Sequence, residues 1–156
     1  MDIIVCMKQV PDSEAQIRVR PDGKGIVDND IKFVMNPYDE FGVEEALKLK
    51  EKFGGTVTLV CLGPARCVEA IRTGLAMGAD KAVHLDDPAF DGGDAISTAK
   101  ALAAAIKGLP HDLIFCGKQA IDGDTAQVGP GIATRLGIPQ LTYVAKVREI
   151  DPAKKR

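Results

Sequence analysis

The chain has 156 residues, of which 46% are hydrophobic and 27% charged, a composition typical of a folded globular domain with a sizeable core. The net charge is −2, and the basic residues are scattered apart from Lys154, Lys155 and Arg156, which argues against nucleic acid as a partner. No apolar run approaches the ~20 residues that cross a bilayer, and no signal-peptide pattern opens the chain, so we expect a cytoplasmic protein without membrane insertion.

The sulfur and imidazole side chains are not clustered. The cysteines stand at 6, 61, 67 and 116, and the histidines at 84 and 111. Zinc sites and iron–sulfur clusters need closely spaced ligands, so no metal site is predicted. Reduced, mostly buried thiols are expected.

The predicted elements begin with a strand and a hairpin. Residues 3–7 form a short, wholly apolar run, which predicts a strand buried on both faces of a sheet. Residues 16–20 and 25–28 flank Pro21-Asp22-Gly23-Lys24, whose turn chemistry predicts a small β-hairpin.

A helix, a strand and a second helix are predicted next. Asn36 suits an N-cap and Pro37 the first position of a helix, which Gly54 then ends. The β-branched and apolar residues at 56–62 predict a strand, and residues 64–77 predict a helix.

Three more strands and two more helices follow from the same patterns. The strands are 82–85, 113–116 and 142–150, the last running into a turn at 151–154. The helices are an alanine-rich segment from its cap Asp94 to near Gly108, and 125–136 with Asp124 as N-cap.

This alternation predicts an α/β fold, in which a Rossmann-like parallel sheet is sandwiched between helices and a small β-hairpin lies near the N-terminus. Residues 1–156 are expected to form a single domain. No return strand follows residues 142–150, which indicates a piece of a longer protein. A genuine end with a frayed basic tail is the alternative.

A ligand site is expected at one edge of the sheet. In open α/β sheets, ligands bind beyond the carboxyl ends of the strands, where the strand order reverses. The segments that lie at such ends, or fold over them, are 6–10, 36–39, 62–65 and 117–130.

Residues 122–130 carry the most unusual chemistry of these segments. Asp122, Asp124, Thr125 and Gln127 stand at a predicted helix start, where free N–H groups and the helix dipole favour a phosphate. Two glycines in the same stretch permit a tight backbone path and a close approach. A loop with an N-cap and no ligand remains the alternative on residue types alone.

Several enzyme classes lack their motifs. There is no phosphate-binding Gly-x-x-x-x-Gly-Lys-Ser/Thr, no Gly-x-Gly-x-x-Gly after the first strand and no Gly-x-Ser-x-Gly. No nucleophile–base constellation is supported either, so no catalytic side chain is predicted.

Four ordered blocks of sequence resemble the beta subunits of electron transfer flavoproteins. They are Val5-Cys-Met-Lys-Gln-Val-Pro-Asp12, Met35-Asn-Pro-Tyr-Asp-Glu40 with Val43-Glu-Glu-Ala46, Gly63-Pro-Ala65 with Ile71-Arg-Thr-Gly-Leu-Ala-Met-Gly-Ala-Asp80, and Gly117-Lys-Gln-Ala-Ile-Asp122. The resemblance implies an adenine nucleotide alpha hydrolase-like fold and a heterodimer with an alpha subunit that holds a redox-active FAD. It also implies an adenine nucleotide in the beta subunit, AMP in the ordinary type and a second FAD in the electron-bifurcating type.

The resemblance also implies which residues contact the nucleotide. They are Cys6, Asn36, Pro37, Tyr38, Asp39, Leu62, Asp122, Gly123, Asp124, Thr125, Ala126, Gln127, Val128, Gly129, Pro130, Gly131, Ile132 and Ala133. Members that bind AMP usually have Asn and Thr where this chain has Ala126 and Val128. Because the loop is similar to that of bifurcating members, FAD is the expected cofactor and AMP the alternative.

In the bifurcating type, the resemblance implies hydride transfer from NADH to the FAD of the beta subunit. One electron then passes to ferredoxin or flavodoxin, and the other passes through the alpha-subunit FAD to a dehydrogenase or quinone reductase. In the AMP type, the protein would carry electrons from dehydrogenases such as acyl-CoA dehydrogenases. A stand-alone, ATP-binding protein of the universal-stress type is a third hypothesis. Family beta subunits are longer than this chain.

Overall fold

The computed structural model describes residues 1–154, in which strands and helices alternate. The strands are β1 (Asp2–Met7), β2 (Gln9–Pro11), β3 (Phe33–Met35), β4 (Thr56–Leu62), β5 (Lys81–Leu85) and β6 (Leu113–Cys116). The helices are α1 (Pro37–Phe53), α2 (Val68–Met77), α3 (Ala95–Ile106) and α4 (Val128–Leu136), with short 3-10 turns at Ala65–Cys67 and Pro88–Phe90.

Four strands form a parallel sheet in the order β5-β4-β1-β6. In the centre of the sheet, Val5 of β1 lies opposite Leu59 of β4 on one side and Phe115 of β6 on the other. The fully apolar run of β1 is buried on both faces, as its sequence predicts. The α/β architecture expected from the sequence is confirmed.

The helices cover both faces of this sheet. On one face, Val43 and Leu49 of α1 and Ile71 of α2 pack against the odd-numbered side chains of β1. On the other, Ile106 of α3 and Ile132 of α4 pack against the even-numbered ones. Because residues alternate between the faces of a strand, β1 contributes to both cores.

Between β1 and α1 the chain makes an antiparallel excursion near the N-terminus. β2 pairs with β3, although these three-residue strands are too short to show a pattern in the sequence. The predicted hairpin forms between them with a single bridge from Val19 to Ile26. Its turn is closed by the amide of Arg20, which donates to the carbonyl of Gly25 at 2.8 Å.

The predicted start of the last helix was wrong. α4 begins at Val128 instead of residue 125, and Gln127 instead of Asp124 occupies the N-cap position. The cause lies in the backbone, since Asp124 and Ala126 have left-handed φ angles of +54° and +53°. An α-helix cannot contain such residues, so the polar loop extends further than the sequence pattern suggests.

The predicted strand 142–150 was also wrong. These residues form no strand, because they pair with no other strand within residues 1–154. Leu141 and Tyr143 are 88% and 78% exposed, whereas Ile150 packs against the core. The predicted turn is confirmed by the amide of Lys154, which donates to the carbonyl of Asp151. The rest of the basic tail, at 155 and 156, lies outside the described residues.

Two further expectations, the cap of α3 and the free, mostly buried thiols, are confirmed. Asp94 caps α3 by accepting a hydrogen bond from the amide of Ser97 at 2.8 Å. The four cysteines are free, and those at 6, 61 and 67 are buried. Within residues 1–154 no helix combines the length and apolar character needed to cross a bilayer, and no cluster of side chains suits a metal ion.

Candidate functional site

The order of the strands places a crevice between the carboxyl ends of β1 and β6. From β1 the chain moves outward through β4 to β5, then returns to add β6 on the opposite side of β1. The strand order therefore reverses between β1 and β6, which is where ligands bind in open α/β sheets. The segments predicted from the sequence, 6–10, 36–39, 62–65 and 117–130, all meet along this edge.

Asp39, in the first turn of α1, ties the two sides of the crevice together. One carboxylate oxygen accepts a hydrogen bond from the amide of Lys8 after β1 at 2.8 Å, and the other accepts from the amide of Gly117 after β6 at 3.1 Å. Burial raises the pKa of Asp39 to about 6, although these hydrogen bonds and the charge of Lys8 oppose the rise.

Gly117 is required by this arrangement. A Cβ atom at Gly117 would lie 2.8 Å from the carbonyl carbon of Tyr38 and would collide with the Asp39 carboxylate. The backbone after β6 approaches the start of α1 closely, and only glycine allows this approach.

Asn36 fixes the next part of the loop. Its side chain is 1% exposed; the amide nitrogen donates to the carbonyl of Gln119 at 2.9 Å, and the amide oxygen accepts from the N–H of Ile121 at 3.2 Å. Asn36 occupies the N-cap position of α1 as predicted, but its side chain makes no capping bond because the loop uses both of its polar atoms. We refer to Asn36 and Asp39 together as the loop clamp.

Residues 122–127 continue from the loop clamp as an exposed loop. Asp122 accepts a hydrogen bond from the ammonium group of Lys8 at 2.7 Å, so an ion pair spans the crevice. Asp124 accepts a hydrogen bond from the side-chain amide of Gln119 instead of capping a helix. The expectation that one of these two carboxylates caps α4 was therefore wrong.

The first turn of α4 faces the same crevice. Val128 and Gly129 retain the N–H groups of a helix start, whereas Pro130 has none. These two amides form the part of the helix suited to an anion.

The remainder of α4 is held by packing. Ile132 is 1% exposed, and a Cβ atom at Gly131 would lie 2.7 Å from the Cβ of Ala99 on α3. Ile132 and Ala133 have buried side chains, so a ligand at the crevice would meet this helix through its first turn.

A cleft of about 410 Å³ opens beside the crevice, between the antiparallel excursion and the ends of β1 and β4. We call it the hairpin cleft. It is lined by Lys8, Gln9, Pro11, Ile17, Ile26, Phe33, Leu62, Gly63, Pro64, Arg66, Cys67 and Asp122. The sequence placed Lys8, Gln9, Leu62, Gly63, Pro64 and Asp122 in segments expected at the ligand edge, and the resemblance implied Leu62 and Asp122 as nucleotide contacts. The signal for Lys8 and Gln9 was their position directly after β1.

Two thiol pairs lie beneath the strand ends. A hydrogen bond with Cys61 lowers the pKa of the Cys67 thiol to about 7, and the charge of Arg66 and the neighbouring His84 act in the same direction. Its partner Cys61 is fully buried, and its pKa is raised. The pKa of Cys6 is also raised, mainly by a hydrogen bond with Cys116 and by burial, so Cys6 stays a neutral thiol.

Comparisons with known proteins show the family of the chain. Residues 24–155 match the model of the electron transfer flavoprotein domain. The chain belongs to the electron transfer flavoprotein family. The protein FixA of Azotobacter vinelandii is 53% identical over 99% of this chain and 56% of its own length.

Beta subunits of the electron transfer flavoprotein family are similarly close. Those of Thermoanaerobacterium thermosaccharolyticum and Clostridium acetobutylicum are each 50% identical to this chain, over 99% and 97% of it. The aligned part is 58% of each relative. The chain thus spans little more than half the length of the curated relatives it matches.

Proposed function

We propose that residues 1–156 form a single adenine-nucleotide-binding domain within the beta subunit of a heterodimeric electron transfer flavoprotein, and that its nucleotide is FAD. The observation that carries this proposal is the loop 122–127. The loop lies at the switch point of the sheet. Ala126 in the loop and Val128 at the start of α4 stand where AMP-binding members typically have the polar residues Asn and Thr. Less polar bulk at the helix start leaves room for a pyrophosphate.

The residues around the crevice fit such a group. The Lys8 ammonium group, which is 49% exposed, and the first-turn amides of α4 offer positive charge and N–H donors to a pyrophosphate. Gln9, which borders the cleft, is buried, and its side-chain amide nitrogen donates to the carbonyl of Arg66 at 3.0 Å. A pyrophosphate that takes the Lys8 cation would free Asp122 to accept hydrogen bonds from ribose hydroxyl groups.

The chain contributes binding and orientation to the reaction. A bound FAD supplies the electron-transfer chemistry, since no side chain at the crevice is placed as an acid–base catalyst. The loop clamp holds residues 117–121 in place from buried positions. This segment, which leads into the loop 122–127, therefore needs no ligand to be ordered. Such preorganisation lowers the entropic cost of binding.

The proposed partners follow from the family. We infer an alpha subunit that holds the second flavin, NADH as the electron donor, and ferredoxin or flavodoxin together with a dehydrogenase or quinone reductase as acceptors. A cytoplasmic location belongs to the same proposal. The proposed partners are supported by the family match over residues 24–155 and by the loop sequence, which is similar to that of bifurcating members.

A structural AMP is the second candidate, and the first turn of α4 favours it. Because Pro130 has no N–H, this turn offers the amides of Val128 and Gly129 only, enough for a single phosphate. In that case the subunit would have no redox cofactor of its own and would carry electrons from dehydrogenases through the alpha-subunit flavin.

The number of flavins distinguishes the two candidates. We expect two flavins and no AMP per heterodimer when the protein is purified with its alpha partner and its released nucleotides are quantified. The double variant Ala126→Asn with Val128→Thr should lose the second flavin and acquire AMP. One flavin with one AMP in the natural sequence would overturn the assignment of FAD.

A matched control tests the surroundings of the loop. The exposed α4 residue Thr134, whose hydroxyl donates only to the carbonyl of Pro130, lies outside the crevice. Thr134→Ala should leave both the flavin count and the AMP content unchanged.

A further inference from the structure

The thiols of Cys61 and Cys67 are neighbours beside the hairpin cleft. Cys61 lies in β4 and Cys67 ends the 3-10 turn that follows, so five residues of chain separate the two cysteines. Both side chains belong to the same core cluster, and a hydrogen bond joins them. The end of β4 therefore carries two free thiols in contact with each other.

Gly63 and His84 position the sulfur atom of Cys67. A Cβ atom at Gly63 would lie 2.6 Å from the Sγ atom of Cys67, so only glycine leaves room for the sulfur at this point. The Nε2 atom of His84 lies 2.8 Å from the carbonyl oxygen of Gly63, and because a carbonyl only accepts, the ring is the donor. The ring is also within hydrogen-bond reach of Cys67. The sulfur is therefore held against the backbone after β4 and next to a ring of β5.

Cys67 differs from its neighbours in the charge that its sulfur can carry. The hydrogen bond with Cys61 is the main cause that lowers the pKa of Cys67 to about 7, and the charge of Arg66 adds to it against the effect of burial. The thiolate is the nucleophile in thiol chemistry, so much of Cys67 is in its reactive form at neutral pH. The pKa values of Cys61 and Cys6 are raised instead, so these two thiols stay neutral.

The hairpin cleft gives small molecules access to Cys67. Cys67 lines this cleft of about 410 Å³, although only 3% of the residue is exposed. The opening therefore suits a reagent close to the size of water, such as hydrogen peroxide, and excludes bulky ones. Cys61 is 0% exposed, so a reagent reaches the pair through Cys67.

From these observations we propose that Cys67 and Cys61 form a peroxide-reactive thiol pair, in which Cys67 reacts first and Cys61 closes a disulfide. The Cys67 thiolate attacks one oxygen of hydrogen peroxide, the O–O bond breaks, and hydroxide leaves a sulfenic acid behind. The Cys61 sulfur then attacks the Cys67 sulfur, the S–O bond breaks, and water leaves with the proton of Cys61. Two thiols and one peroxide give one disulfide and two waters, as two electrons pass from sulfur to peroxide.

The pair is independent of the nucleotide that the crevice holds, but it bears on the wall of the hairpin cleft. The turn that ends at Cys67 also presents Arg66, whose guanidinium carbon lies 4.3 Å from the centroid of the Phe33 ring. The carbonyl of Arg66 accepts the hydrogen bond from the side-chain amide of Gln9. A disulfide would tie this turn to β4 and remove the thiolate charge beside Arg66.

The test is peptide mapping of the reduced protein in its native heterodimer, after exposure to hydrogen peroxide and alkylation of the remaining thiols. Trypsin cleaves after Lys52, Arg66 and Arg72, so the two cysteines fall on separate peptides, 53–66 and 67–72. We expect mass spectrometry to find these two peptides joined by a disulfide. Their thiols should be lost at least about tenfold faster than that of Cys6, which stays protonated.

Cys6 and Cys116 are the matched control pair within the same protein. They lie opposite each other on β1 and β6, and their tryptic peptides are 1–8 and 108–118. Cys116 is more exposed than Cys67, so exposure alone predicts that Cys116 is oxidised first. The proposal predicts the opposite order.

Two variants separate the roles of the two sulfur atoms. Cys61→Ser keeps a hydroxyl that can donate to Cys67 but removes the second thiol, so a sulfenic acid should persist on peptide 67–72, where dimedone present during unfolding traps it. Cys67→Ala should leave Cys61 unoxidised. Melting temperatures of both variants report on folding, and the map of the natural sequence decides the question if either variant fails to fold.

Three results would overturn the inference. Peptides 53–66 and 67–72 that keep free thiols while Cys116 is oxidised would show that exposure governs reactivity. A sulfinic acid on Cys67 without a disulfide in the natural sequence would show that Cys61 does not act as its partner. Oxidation of Cys61 in Cys67→Ala at the rate of the natural sequence would show that Cys67 is not attacked first. None of these results bears on the proposed cofactor, which the flavin count tests separately.

Discussion

The two sides of the crevice between β1 and β6 are built in different ways. The loop clamp is buried, and each of its polar atoms has a backbone partner contributed by a segment distant in sequence. Residues 122–127 and the hairpin cleft are open, with left-handed residues at Asp124 and Ala126 and a half-exposed ammonium group on Lys8. The clamp side is complete without a ligand, whereas the open side retains unused binding capacity.

This difference separates residues that shape the site from residues that have room for a ligand. The resemblance to the family groups Asn36 and Asp39 with Asp122 and Gln127 as nucleotide contacts. In the structure the side chains of the first two are used internally, whereas Asp122 and Gln127 are exposed. Changes on the clamp side should therefore affect stability, and changes on the open side should affect affinity.

The largest effect is expected at the close approach of Gly117. Gly117→Ala places a methyl group 2.8 Å from the backbone of Tyr38, which cannot move without displacing α1, and should cost about 3 kcal/mol of unfolding free energy. Gly123→Ala is the matched control on the open side, since no atom lies within 4 Å of its Cβ position. Urea denaturation measures the loss of unfolding free energy in each variant. Equal losses in Gly117→Ala and Gly123→Ala would contradict the difference between the two sides of the crevice.

The next effect is a pH dependence that arises from Asp39. Its folded pKa of about 6 is raised above the ordinary value of 3.8, so the folded state binds the proton more tightly than the unfolded state. The stability from this proton is fully present below pH ~3.8 and is lost as the pH rises through ~6, by at most about 3 kcal/mol.

Asp39→Asn provides the reference for that measurement. Its side chain does not titrate, so the stability of the natural protein minus that of the variant should fall between pH ~4 and pH ~6. Thermal or urea unfolding across this range checks the slope. A difference that is constant with pH, or that rises, would show that burial does not dominate at Asp39.

Lys8 is expected to act on affinity more than on stability. Lys8→Met removes a half-exposed ion pair with Asp122, and such pairs contribute about 0–1 kcal/mol to stability. Nucleotide affinity should fall about tenfold, because a charge-assisted bond to phosphate is lost. Lys100→Met, at an exposed position of α3, is the control for net charge. Calorimetric titration with FAD measures the affinity of each variant. Equal affinities of Lys8→Met and the control variant would contradict the prediction.

The smallest effect is expected at Ala126. Its φ of +53° is a left-handed conformation that costs an alanine roughly 1 kcal/mol and a glycine very little. Ala126→Gly should therefore be neutral or stabilise the protein by up to about 1 kcal/mol, despite the greater freedom of glycine when unfolded. Ala120→Gly is the control, and it should destabilise the protein because Ala120 has no positive φ. If urea denaturation found Ala126→Gly less stable than Ala120→Gly, the result would argue against strain in the loop.

Much of the fold followed from local patterns. The apolar run of β1, the boundaries of β4 and β6, and the cap at Asp94 are each fixed by neighbouring residues. The start of α4 was missed because the two left-handed residues depend on contacts of the loop, and the segment 142–150 was misjudged because a strand requires a partner.

The crevice was predictable in position but not in detail. The topology alone placed residues 6–10 and 117–130 at one edge. The bonds of the loop clamp join residues separated by about thirty to eighty-five positions, and no pattern in the sequence reveals which polar atoms such bonds consume. The hairpin cleft was missed for the same reason, because its walls come from several distant segments.

The density of the ligand beside residues 122–130, in a crystal of the native heterodimer, tests the central claim most directly. The predicted result is FAD, with its pyrophosphate at the first turn of α4. An AMP in the same place would contradict the assignment of FAD. A nucleotide bound away from the crevice would contradict the site itself.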